Sequence, residues 1–119
     1  MLTAHTTGDG GAVPDQVRWY AGEVRRHGDP DRLRQTYVNR GGHCSFNAAE
    51  EIVLLRTLLS RVDSGRWPAT DPRRLTADAA ALGPDYRLVP DLFDPQGKEA
   101  AMAPAFVRFT PPVFPRPSR

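Results

Sequence analysis

Apolar residues recur along this chain at two periods, and the switches between them predict the order strand, helix, strand, helix. Leu2 to Thr7 is rich in β-branched threonine and breaks at Gly8-Asp9-Gly10-Gly11, which reads as a short strand running into a turn. From there apolar positions fall at Val13, Val17, Tyr20 and Val24, a spacing that places them on one helical face. Pro14 suits the first turn of that helix, and Gly28 and Pro30 end it. Leu33 to Val38 alternates weakly and closes at Asn39-Arg40-Gly41-Gly42, the pattern of a second strand. A long helix follows from Asn47 to about Ser64. Asn47 can cap it, Glu50 can answer as in a capping box, and Ala48, Ile52, Leu55, Leu59 and Val62 form one stripe. Leu54 and Leu58 widen the stripe, so this helix is expected to be deeply packed.

A break at Gly65 to Thr70 leads to Asp71-Pro72, an N-cap with proline at the first helical position, and a short helix through Leu82 that Gly83-Pro84 stops. Beyond it the texture changes. Eight of the 12 prolines lie between positions 84 and 119, which forbids long helices there. Yet Tyr86, Leu88, Val89, Leu92, Phe93, Phe106, Val107, Phe109, Val113 and Phe114 are too apolar for a free linker. The chain therefore divides into a core, residues 1–83, and an extended tail, residues 84–119, wrapped over it. No internal repeat is present.

This order is the βαβ pattern of a parallel sheet. Such sheets are buried on both faces and need several strands, whereas a two-stranded sheet is marginal. Only two strands are clear, with Ala105 to Thr110 as a weak third. The sheet is expected to need neighbours from elsewhere, by self-association through its open edge or from additional chain.

Composition narrows the classes. The 119 residues suit a single domain or a piece of one, 39% are hydrophobic and 25% charged, and no apolar run is long enough for a membrane span. The 16 basic residues, all Arg except Lys98, are interspersed with 14 acidic ones for a net charge of +2, which argues for a mixed solvated surface and against nucleic acid. Cys44 is the only cysteine, so a disulfide would need a second chain. The first residues lack the basic and apolar regions of an export signal, so the chain as written is expected in the cytoplasm.

The candidate chemistry sits at two strand ends. In an open α/β sheet, polar catalytic groups collect at the carboxyl ends of strands. Asp9 follows the first strand and serves either as an acid or as a cap or Asx turn; His43 follows the second on Gly41-Gly42, either as a general base or as a surface loop residue. Two strand ends separated by one crossover helix fall side by side, and Asp with His is the orienting half of a nucleophile–base–acid triad.

Thr6-Thr7-Gly8-Asp9 with Val13-Pro14, then Leu33 to Val38 and Gly42-His43-Cys44-Ser45-Phe46, and Trp67-Pro68 after a helix, resemble the C-terminal part of a serine α/β-hydrolase of the esterase or peptidase type. The resemblance implies a partial α/β-hydrolase sheet, its last two parallel strands with crossover helices, carrying a proline-rich tail. It also implies acyl transfer at ester or amide bonds, without a cofactor or metal, with Asp9 as the triad acid and His43 as the base. Longer relatives of this kind could be secreted. Ser45, Ser60, Ser64 and Ser118 are the only serines, and none sits in a Gly-x-Ser-x-Gly elbow. The segment is thus expected to be inactive alone.

Other constellations are weaker. Cys44 beside His43 suggests a nucleophile pair, but sequence neighbours usually point apart. His5, His27, His43 and Cys44 lack paired metal-ligand spacing. Trp19, Tyr20 and Trp67 read as core or docking contacts. The alternative function is a small non-catalytic interaction protein, in which Pro111 to Pro115 docks on an aromatic groove as polyproline II.

Overall fold

The computed structural model describes residues 1–89 and 100–113. Strand β1 (Leu2–Gly8) leads through helix α1 (Asp15–His27) to strand β2 (Arg34–Gly41), and the two strands pair in parallel. Their register runs from Leu2 opposite Arg34 to Thr6 opposite Val38, then slips so that Gly8 lies opposite Gly41. The slip places one extra residue in β2 just before the His43 turn, a bulge of the kind that re-aims a strand end. Helices α2 (Ala48–Ser64) and α3 (Pro72–Ala80) follow. A two-residue strand β3 (Leu88–Val89) then pairs antiparallel with β4 (Ala100–Ala101), and β5 (Phe106–Val107) joins the other edge of β2. The sheet order is β1-β2-β5, so the weak third strand forms as two residues, running antiparallel.

Successive side chains of β2 point to opposite faces and so divide the molecule into layers. Val38 packs with Ala49 and Val53 of α2, Leu75 and Ala79 of α3, and Phe106 of β5 in one buried cluster. On the opposite face the Gln35 amide donates to the Val17 carbonyl of α1 at 3.0 Å, and Tyr37 meets Phe109 edge-on with ring centroids 5.3 Å apart. The described tail lies on the body: Pro104, Phe106 and Pro111 are buried, and the Arg18 guanidinium donates to the Pro111 carbonyl at 3.1 Å. Leu92, Phe93 and Phe114, expected to pack likewise, lie outside the described residues.

Helix ends form where the caps predict. Asn47 accepts from the Glu50 amide at 2.9 Å while Glu50 accepts from the Asn47 amide at 3.0 Å, completing the capping box. Asp71 accepts from the Arg73 amide at 3.0 Å ahead of Pro72. Trp67 is half-buried between the Arg34 and Arg61 guanidiniums, each 5.6 Å from the ring centre, and ties the chain after α2 to the start of β2.

The packed face of α2 corrects the expectation. Its apolar stripe is not deeply buried: Leu55, Leu59 and Val62 are 57%, 50% and 70% exposed, and Ala48 is exposed too. The buried side is Ala49, Glu50, Val53 and Thr57. That side is rotated about one position, or about 100°, from the orientation that would bury the leucines, and it places Glu50 inward against Arg40. Helix α1 is similar, with Val17 buried while Val13 and Tyr20 stay exposed.

Candidate active site

The turn after β1 and the turn after β2 meet because their strands are neighbours. Asp9 is buried, and its Oδ1 accepts from the Gly11 and Ala12 amides at 2.8 Å each. Both of its oxygens lie 3.0 Å from His43 Nδ1. The expected pair is therefore in contact, and Asp9 holds its Asx turn as well, so the two readings of this residue are compatible.

Burial pushes the Asp9 carboxyl up, but the Ala12 and Gly11 amides and the His43 imidazole outweigh it and hold the acid below its ordinary range. An ionised carboxylate only accepts hydrogen bonds, so Nδ1 must carry the proton and, in the neutral ring, Nε2 is left with a free lone pair. That is the tautomer a general base requires.

Nε2 faces Cys44. The thiol sulfur is 3.6 Å from it, although neighbouring residues were expected to point apart. The backbone there is unusual: Cys44 has φ 52°, a left-handed conformation uncommon outside glycine, and its side chain turns back toward Nε2. Cys44 is exposed and unpaired. Among the described residues, no three His, Cys, Asp or Glu side chains converge as a metal site.

Several residues of the site escaped sequence reasoning. Thr6 donates from its hydroxyl to the Gly42 carbonyl at 2.7 Å, and the Gly42 amide donates to the Gly8 carbonyl at 3.2 Å, docking the histidine turn onto β1. Arg40 and Glu50 form a buried bidentate pair at 2.7 and 3.1 Å beneath the same turn. The capping box flagged Glu50 as a helix-end residue, but no local pattern identifies its long-range partner.

Searches against known proteins returned neither a matching family model nor a matching solved structure. The chain is 33% identical over 81 residues to an o-phthalyl amidase of Xanthobacter agilis. The match takes in 68% of this chain but 18% of the amidase. The chain is thus a partial homologue of a protein with an amidase-type, hydrolytic name, and it spans less than a fifth of that relative's length.

Proposed function

We propose that this chain supplies the acid and base of a serine α/β-hydrolase that cleaves ester or amide bonds by acyl transfer, with Asp9 orienting His43 and a separate stretch of polypeptide providing the serine. The observation that carries this reading is the Asp9–His43 contact: a buried carboxylate held by two amides touches Nδ1, which leaves the Nε2 lone pair, beside the exposed Cys44 thiol, to act as the base. The short partial match to a much longer amidase agrees with it, as do the exposed leucine face of α2 and the outer edge of β1, which pairs with no described strand. In the full reaction a serine hydroxyl attacks the carbonyl as Nε2 takes its proton. The imidazolium, stabilised by Asp9, then returns that proton to the leaving group, and water deprotonated by Nε2 hydrolyses the acyl-serine, releasing the acid and restoring the hydroxyl. Oxyanion donors come from the same absent part and are typically worth about 3–4 kcal/mol. The 119-residue chain alone should leave p-nitrophenyl esters at background hydrolysis. Hydrolysis well above background that disappears in His43→Ala would overturn the assignment of the nucleophile to another stretch of chain. No gain on mixing with a hydrolase portion bearing the serine elbow and remaining strands would count against complementation.

A further inference from the structure

We infer that Arg40 and Glu50 are positioning residues for His43: their ion pair closes the loop that carries the imidazole and links it to the C-terminal segment. The inference rests on the reading of Asp9 and His43 as an acid–base pair.

Arg40 is the next-to-last residue of β2 and Glu50 lies in the first turn of α2, so residues 41–49 leave and return within one ion pair. Arg40 Nη1 donates to Glu50 Oε2 at 2.7 Å and to the Ser45 carbonyl at 2.7 Å, two residues past the histidine. Nη2 donates to Glu50 Oε1 at 3.1 Å and to the Ala103 carbonyl at 3.2 Å. Glu50 accepts in addition from the Asn47 amide at 3.0 Å and the Ala105 amide at 3.0 Å. Four donors thus meet its two oxygens, which is the full capacity of a carboxylate. The far side of the turn is tied down by polar contacts through this pair and through Asn47, whose side-chain amide donates to the Met102 carbonyl at 2.9 Å, and by Phe46, which packs against the core.

The near side is already held by β1, through Thr6, Gly8 and Asp9. Gly41 and Gly42 lack the side-chain restraint that would hold the turn by themselves, and Gly42 sits at φ 92°, a conformation open to glycine, so the direction of the turn depends on its anchors. The planar Arg fork against a carboxylate sets distance and direction together, as a Lys point charge does not. A buried ion pair is weak evidence for stability, since apolar replacements are often neutral, so geometric definition of the turn is the role that its four loop and tail contacts support.

The test is nuclear magnetic resonance of the full 119-residue chain labelled with nitrogen-15. The proton on His43 Nδ1, hydrogen-bonded to Asp9, should give a far-downfield resonance at neutral pH that disappears in His43→Gln. Glu50→Gln and Arg40→Lys should stay folded by circular dichroism yet lose that resonance. Leu75→Ala, a core variant that removes none of the pair's hydrogen bonds, should keep it despite lower stability. Retention of the resonance in folded Glu50→Gln and Arg40→Lys would overturn the inference. So would its loss in Leu75→Ala as well, since the signal would then track general stability, and so would failure of both pair variants to fold, which would make the pair structural. A wild-type chain with no such resonance would instead remove the Asp9–His43 pairing itself.

Discussion

Gly11 lies so close to the His43 ring that a Cβ at this position would sit 3.1 Å from Nδ1 and 3.2 Å from Cγ. The same residue's amide donates to Asp9 Oδ1, which makes this one glycine a wall for the base and a donor to the acid. Gly11→Ala should therefore push the imidazole off Asp9 by a few tenths of an ångström without unfolding the chain. Overpacking typically costs about 1–3 kcal/mol, and the exposed loop should place this variant at the low end. A changed His43 ring nitrogen spectrum with a small loss in urea midpoint is expected; an unchanged spectrum would refute the close approach.

Asp9 ties stability to acid pH. Its folded pKa lies below its unfolded value of about 3.9, so the native state binds fewer protons than the unfolded state between the two values. Its contribution is fully present above about pH 3.9 and is lost as pH falls through the folded pKa. Asp9→Asn should be less stable than wild type at neutral pH, and the gap should close in strongly acidic solution. Urea titrations across that range check the sign, and a gap independent of pH would be inconsistent with an ionised, hydrogen-bonded Asp9.

His5 on β1 acts with the same sign but at higher pH. Burial disfavours its charged form and lowers its pKa, with nearby Asp9 offsetting part of the effect. Between the folded value and the ordinary value of about 6.5, the unfolded chain binds more protons, so stability rises with pH. Melting temperature should fall as pH drops below about 6.5 in the wild type, and His5→Gln should flatten that segment of the curve.

The core packed beneath α2 and the helix's own leucine face should respond very differently to truncation. Leu75, 2% exposed and packed beneath α2, should cost about 2–5 kcal/mol when cut to alanine. Leu59, half exposed, should change stability by no more than about 0.5 kcal/mol. Equilibrium unfolding of Leu75→Ala and Leu59→Ala measures both, and a large loss for Leu59→Ala would show that the helix packs on its leucine face.

That contrast marks how far the sequence could be read. Caps and turns are local, so Asn47, Glu50, Asp71 and Pro72 announced the helix starts, and two glycine turns announced Asp9 and His43. Helix rotation is not local. The leucine stripe of α2 is a sound amphipathic pattern, but what it faces depends on which partners are present, and here Glu50 lies inward against Arg40 instead. Likewise, no spacing rule reveals that the Ala105 amide will reach Glu50 across 55 positions. The Cys44 contact runs against expectation for a different reason: sequence neighbours usually point apart, and nothing in the sequence flags a cysteine at positive φ.

Cys44 offers the most direct probe of the free face of the base. Its thiol is exposed, and its sulfur lies beside Nε2, where a nucleophile's hydroxyl would have to arrive. Iodoacetamide should label the native chain once, since this is its sole cysteine. The carboxamide should shift the His43 Nε2 resonance while leaving the Nδ1 proton in place, because Asp9 holds the opposite side of the ring. Cys44→Gly should remove the thiol contact and relieve the left-handed backbone at a cost in chain entropy. Those opposing terms, about 1–2 and 0.5–1 kcal/mol, leave a net change between about 0 and 1.5 kcal/mol. An Nε2 resonance indifferent to alkylation and to Cys44→Gly would mean that the thiol does not lie over the base.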